Sequence, residues 1–303
     1  MSSVTREQHE TFFRTMLGDV TEPTAPYGLL DTQSSGVVRH GRLRVDASLE
    51  ERVRARARVL GVSVASICHV AWARVVGGLS GRDDVVFGTL VFGRMQGGAG
   101  ADRGMGLFLN TLPVRIRVGD QAAEPTVRGT HRLLGELLQH EHASLALAQR
   151  CSGLSAPTPL FTALLSYRHL PAAKRAPGKV REARAGVQQL MVDDAEVRTT
   201  YPLGIRVDDS GDMLGLSAQS MQPADPDRVC GMMHAALEGL VTMLEAAPAS
   251  SLRDIDVLPV GERHQLVAAW NETTRPYAAE ACVHELFEHH AARTPGAIAV
   301  MQD

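Results

Sequence analysis

Residues 83–118, DDVVFGTLVFGRMQGGAGADRGMGLFLNTLPVRIRV, decide how the chain is read. Two runs rich in Val, Ile, Phe, Thr and Leu, 85–92 and 107–118, flank a glycine-rich stretch at 93–106. β-Branched and aromatic side chains at this density fit buried or half-buried strands. The second run alternates. Val114, Ile116 and Val118 fall on one face and Arg115 and Arg117 on the other, which predicts a strand with one wet face. The glycines allow 93–106 positive φ or a close approach to another surface. The stretch has no GxxxxGK[ST] pattern, so no phosphate cradle is predicted there.

Upstream, Thr5 is placed to cap a helix running to about Leu17, with Phe12, Phe13, Met16 and Leu17 as its apolar face. Residues 18–41, with Pro23 and Pro26, read as an extended connector, followed by a short strand over 42–46. Ser48 is expected to cap a helix ending at Gly61, and Ser63 to start a second one. In that second helix Val64, Ile67, Cys68, Ala71, Trp72 and Val75 repeat at helical spacing, and His69 beside them reads as a structural histidine. Downstream, a helix is predicted over 124–147 with Leu133, Leu134, Leu137 and Leu138 as a stripe. Residues 174–186 read as a loop, and 187–192, 202–207 and 213–220 as strands. Asp208-Asp209-Ser210-Gly211-Asp212 is a turn signal joining the last two. Asp225 or Asp227 caps a helix to Ala246, with Val229, Met233, Leu237, Leu240 and Leu244 inward.

The totals narrow the function classes. A chain of 303 residues makes one large or two modest domains. Its net charge of −3 offers no electrostatic case for nucleic acid. The longest apolar run is too short for a membrane span, and the N-terminus lacks the apolar core of a signal peptide. The four cysteines, Cys68, Cys151, Cys230 and Cys282, are widely spaced, so free thiols and a cytoplasmic location are expected. Arg52, Arg54, Arg56 and Arg58 crowd one helix. A solvated helix offset by Glu50 and Glu51 is the favoured reading over a dock for an acidic carrier protein. His140 and His142, two apart, face different ways on a helix, so no shared metal is predicted.

Several blocks carry a family resemblance. GTLVFGR at 88–94 and MGLFLNTLPVR at 105–115 resemble the pattern G-T-P-x-x-G-R … G-x-F-x-N-T-x-x-x-R of condensation domains from non-ribosomal peptide synthetases. Gly88, Thr89, Gly93, Arg94, Gly106, Phe108, Asn110, Thr111 and Arg115 match, and Leu90 stands where the pattern has Pro. HETFFRTMLGDVTEPTAPYGL at 9–29 resembles the segment joining the two lobes of such domains, and PTPLFTALLSYRH at 157–169 one of their strands. HEHASLA at 140–146 sits where the family has a motif like HQDxPFE, with only His140 matching. SLRDIDVLPVGERHQLVAAWNETTRPY at 251–277 resembles the linker that follows, and VHELFEHHAARTPGAIAVMQD at 283–303 the opening of an adenylation domain.

The resemblance implies an α/β fold: one lobe of a chloramphenicol-acetyltransferase-like two-lobe architecture, a mixed sheet with flanking helices. It implies an inter-lobe helix and connector over 1–41, the C-terminal lobe over 42–248, a linker over 249–280 and the incomplete start of an adenylation domain over 281–303. The implied activity is amide-bond formation between acyl and aminoacyl groups held on the phosphopantetheine of peptidyl or acyl carrier proteins. Family enzymes carry HHxxxDG on the N-terminal lobe, where its second histidine helps the attacking amine. None of the twelve histidines here is followed four residues later by Asp, and the one HH pair, His289-His290, continues Ala-Ala-Arg-Thr-Pro-Gly. No catalytic residue, bound cofactor or metal is therefore expected on this chain, and inactivity alone is. Arg94 matches the arginine that pairs with the Asp of HHxxxDG across the lobe interface, and Asn110 an asparagine near the substrate tunnel, with a strand-end hydrogen bond as its equally weighted alternative role. A separate N-terminal lobe is an implied partner. The alternative is a non-catalytic lobe that docks a carrier protein or tailoring enzyme.

Overall fold

The computed structural model describes residues 4–31, 37–92, 109–169, 200–275 and 281–302. Arg94, the glycine-rich stretch and the expected strand at 187–192 lie outside these residues, as does the loop read at 174–186. The chain divides into two compact units, 1–259 and 260–303.

The first unit is built on a six-stranded sheet. Its strands are β1 (Val38–Arg44), β2 (Asp84–Phe92), β3 (Leu109–Arg117), β4 (Ala163–His169), β5 (Leu203–Asp209) and β6 (Leu214–Met221). Their spatial order is β1-β6-β5-β4-β2-β3. β4 runs parallel to both β2 and β5, and the outer pairings are antiparallel, so the sheet is mixed. The two strands read from the opening stretch pair directly, Val85 opposite Ile116 and Phe87 opposite Val114. β3 is an edge strand, which is where a proline such as Pro113, lacking an N–H, is tolerated.

Among the described residues the unit also has helices α1 (Arg6–Leu17), α2 (Ala47–Leu60), α3 (Val64–Ser80), α4 (Ala123–Gln139), α5 (Leu145–Arg150) and α6 (Pro226–Ala246). α3 and α6 pack side by side, with α2 and α4 against them. The apolar sides of β2, β3, β5 and β6 (Val85, Phe87, Leu112, Val114, Val207, Leu216) are buried in the same core as Ile67, Trp72, Val75, Met233 and Leu240 of these helices. α6 is long and apolar enough to span a membrane, but Val229, Met233, Leu237, Leu240 and Leu244 are buried in this core, as its sequence spacing predicts.

The helix boundaries follow local chemistry. Thr5 accepts from Gln8 N while Gln8 Oε1 accepts from Thr5 N, a capping box that closes the start of α1. Ser63 accepts from Ser66 N, and Asp225 from Asp227 N and Arg228 N. Gly61 ends α2 at φ 64°, where any other residue would be strained.

Three expectations shift. The strand expected at 42–46 is β1 at Val38–Arg44, because its polar residues pair in register with β6 from Val38 opposite Met221 to Arg44 opposite Gly215. Asp46, rather than Ser48, takes the N-cap position of α2, without a side-chain bond. The single helix over 124–147 is two: α4 ends at Gln139, and Ser144 caps α5 by accepting from Leu147 N. Residues 249–259 belong to the first compact unit. Leu252, Ile255 and Val257 are buried, and Leu252 N and Arg253 N donate to the carbonyls of Gln121 and Gly119.

The second unit holds α7 (Val260–Val267) and α8 (Val283–Arg293). Neither has a buried residue, and Val260, Trp270, Val283, Phe287 and Ile298 are all exposed.

Candidate functional site

The motif residues on β2 and β3 fall into distinct structural roles. Gly88 sits mid-strand between β3 and β4, and a Cβ there would run into Leu164, Phe161 and Thr111. Only a glycine lets these side chains close over the strand. Thr89 is buried and reaches Nε2 of buried His69 at 2.9 Å. His69 Nδ1 lies 2.7 Å from the Ala65 carbonyl, which only accepts, so Nδ1 carries the proton and Nε2 accepts from the Thr89 hydroxyl. Burial pushes the His69 pKa down to about 4, against a smaller upward pull from the Ala65 carbonyl, so the ring is neutral at physiological pH.

Arg115 projects from β3 on the opposite face. Its Nε and Nη2 bond Asp84 at 2.9 and 2.7 Å, and Nη1 donates to the Met16 carbonyl at 2.9 Å and to Asp19. The guanidinium thus ties the C-terminal end of α1 to the sheet edge. Hydrogen bonds from Arg115 first, reinforced by the Asp19 backbone and nearby Arg117, hold the Asp19 carboxyl down at about 2.

Asn110, near the start of β3, faces the corner between α4 and α5. Its Nδ2 donates to the carbonyls of Glu141 and Ala143 at 2.8 and 2.7 Å, and its Oδ1 accepts from Thr111 N at 2.9 Å. Both amide hydrogens are thereby used in fixing the corner 140–144. That corner carries His140, whose Nδ1 lies 2.7 Å from His9 Nδ1 of α1 and whose ring stacks on Phe12 at 4.2 Å between centroids. A contact this short between two imidazole nitrogens requires one donor and one lone pair, so the pair holds at least one neutral ring. Burial first, then mutual charge, lowers both pKa values: His142 acts on His9, and His9 on His140. The sequence shows His140 but gives no sign of its partner 131 residues away.

Arg52, Arg54 and Arg56 of α2 are paired, mostly with other elements. Arg52 bonds Glu245 at 2.7 Å, Arg56 lies 3.7 Å from the same carboxylate, and Arg54 bonds Glu50 and Asp209 at 2.9 and 2.6 Å. Asp209 is buried, which raises its pKa, but Arg54, the Tyr167 hydroxyl and Gly211 N hold it at about 2. The solvated-helix reading omits this side-chain network, which comes from β4, β5 and α6. All four cysteines are free thiols, and burial lifts Cys68 to about 12 and Cys230 to about 11. Among the described residues no group of three or more His, Cys, Asp or Glu is arranged to hold a metal ion.

A mixed six-stranded sheet with its helix layer, and the G-T … N-T-x-x-x-R residues on its paired strands β2 and β3, define the class of protein. The condensation domain family model matches residues 9–267. This chain belongs to the condensation domain family of non-ribosomal peptide synthetases, whose reaction is amide-bond formation. Malpinin synthetase and malpibaldin synthetase of Mortierella alpina are each 44% identical to it, over 99% and 98% of this chain. The chain spans only 4% and 6% of those two proteins. In fold it is similar to the condensation domain of the polyketide synthase MokA, with TM-score 0.61 and 18% identity over 82% of this chain and 59% of that one. The non-ribosomal peptide synthetase FmoA3, in a form bound to an α-methyl-L-serine adenylate, gives TM-score 0.60 and 18% identity over 98% of this chain and 32% of its own. The X-domain from teicoplanin biosynthesis, in its complex with OxyB, gives 0.61 and 17% over 84% and 56%.

Proposed function

We propose that the first compact unit is the C-terminal lobe of a condensation domain. On this reading it supplies the sheet side of a substrate tunnel whose other wall, with the HHxxxDG histidine, belongs to an N-terminal lobe. The substrates are acyl and aminoacyl thioesters on the phosphopantetheine of carrier proteins, in the cytoplasm. The observation that carries this reading is the placement of G-T and N-T-x-x-x-R on the paired strands β2 and β3, with α1 latched to their edge by Arg115, in a chain where no histidine has Asp four residues on. General acid–base help to an attacking amine needs a titratable group at the reacting centre. The buried, neutral His69 is committed to Thr89 and offers none.

Within this reading Arg94 pairs across the lobe interface, and Asn110 is a positioning residue that holds the 140–144 corner beside the tunnel. Residues 260–303 are the linker and the opening of an adenylation domain. The FmoA3 likeness, which takes in 98% of the chain where the MokA condensation domain takes in 82%, supports that assignment. Calorimetry with an HHxxxDG-bearing N-terminal lobe tests the pairing. Binding is expected, and Arg94→Ala is expected to weaken it by about 2–5 kcal/mol, the range for truncating one partner of a buried charge pair. Binding indifferent to Arg94→Ala rejects the role of Arg94, and no binding rejects the lobe pairing.

A second reading is a non-catalytic docking lobe. Its support is the likeness to the X-domain seen in complex with OxyB. It predicts binding of a carrier or tailoring enzyme by a lobe that no HHxxxDG partner activates.

A further inference from the structure

The sheet face away from the α3–α6 layer carries an unusual charge arrangement. Residues directly opposite one another on neighbouring strands share a face. Arg42 of β1 lies opposite Ser217 of β6, Ser217 opposite Arg206 of β5, and Arg206 opposite Ser166 of β4. One step along, Asp208 lies opposite Arg168. Arg44 of β1 lies opposite Gly215, which lies opposite Asp208, so four arginines share this area of sheet with a single carboxylate. Arg42 and Arg206 are separated by one strand, so their Cα atoms are about 10 Å apart.

The geometry of the aspartate matters more than the count. Asp208 takes the Nε of Arg168 at 2.6 Å and the Nε of Arg206 at 3.2 Å. Among the described residues the terminal nitrogens of both guanidinium groups make no hydrogen bond, and Arg168 Nη2 is buried without one. Arg42 forms no ion pair among these residues. A buried guanidinium N–H left unmet is costly, and such a group calls for a partner. Arg206 is only 23% exposed, and Arg42 and Arg168 both act against its charge. One carboxylate thus orients two guanidinium forks without neutralising the four cations on this face. Forks held in this way match the two oxygens of a phosphate or carboxylate.

We propose that Arg168 and Arg206, oriented by Asp208, form with neighbouring Arg42 an oxyanion-binding site on the sheet face away from the α3–α6 layer. Its ligand is the phosphate or carboxylate of an extended substrate passing over that face. The proposal rests on the lobe assignment for the identity of the substrate: the oxyanion comes from the phosphate of the pantetheine arm or from the side chain of an acidic acyl group. Serines at 166 and 217 between the arginines add hydroxyl donors without bulk.

Calorimetry on the 303-residue chain under reducing conditions tests it, with pantetheine, pantetheine 4′-phosphate and succinyl-pantetheine as probes. One or both oxyanion-bearing probes are expected to bind at least about tenfold more tightly than pantetheine, as charge-assisted bidentate contacts provide. Preference for the phosphate alone assigns the site to the arm, and preference for the succinyl group alone assigns it to an acidic acyl substrate. Arg42→Gln, at an exposed position that does not endanger folding, and Arg206→Gln are each expected to abolish the preference, and Arg132→Gln on α4 to leave it intact. Equal binding of all three probes, or a preference that survives either substitution, overturns the proposal. The measurement needs no second lobe, so its failure is separable from failure of the lobe assignment.

Discussion

His69 Nε2 accepts a 2.9 Å hydrogen bond from the hydroxyl of Thr89, and both side chains are buried. The bond joins the centre of the helix layer to the second residue of the G-T motif. Replacing Thr89 by Val keeps the shape and removes the donor, leaving a buried ring nitrogen unmet. The expected loss is ~1–3 kcal/mol of stability. Thr89→Ser, which keeps the hydroxyl, is expected to recover most of the bonding energy. Urea denaturation of the three proteins at neutral pH checks this.

The same histidine makes stability pH-dependent in a definite direction. Its folded pKa, about 4, lies below the ordinary value of 6.5, so the unfolded chain binds the proton first as pH falls. The contribution is complete above about pH 6.5 and is lost as pH drops towards about 4, a fall of ~3 kcal/mol from this group. His9 and His140, also lowered, act in the same sense. Denaturation midpoints measured across that range in wild type and His69→Gln test it: the acid loss is expected to be smaller in the variant. An equal loss in both assigns the acid sensitivity elsewhere.

Asn110 is expected to matter for order more than for charge. Asn110→Ala removes both donors from the carbonyls of Glu141 and Ala143 and is expected to cost ~1–3 kcal/mol. Asn110→Asp is expected to cost more, because a carboxylate offers no donor and repels both carbonyls. Amide exchange should rise selectively over 140–147. Unchanged protection there would remove Asn110 from its role at the corner.

The sequence made much of this fold legible, for physical reasons that also mark its limits. The β2–β3 pair was readable because strict alternation from Val114 to Val118 survives in the structure as buried and half-exposed faces. The caps at Thr5, Ser63, Gly61 and Asp225 were readable because they are local chemistry. β1 was misplaced because its polar residues become a strand only through pairing with β6, far away in sequence, from Val38 opposite Met221 to Arg44 opposite Gly215. The break after Gln139 was missed because Asn110, from another strand, fixes the corner. The His9–His140 contact and the arginines gathered around Asp208 are long-range juxtapositions with no local signature. Arg94 and the stretch around it fall outside the described residues.

Limited proteolysis should separate the two compact units. Leu252, Ile255 and Val257 are buried in the first, whereas α7 and α8 bury nothing. Early cleavage is expected beyond Pro259, leaving a stable product that retains the segment from Ser250 to Val257. First cuts between 248 and 257 would contradict the packing of that segment against 119–123.

The central claim is that this chain holds the sheet lobe of a condensation domain and needs an HHxxxDG lobe to act. Mass spectrometry of an acceptor carrier, incubated with a loaded donor carrier, tests it most directly. With residues 1–303 alone no dipeptide is expected on the acceptor, and with a matching N-terminal lobe added dipeptide should accumulate. Dipeptide formed by the chain alone would contradict the account.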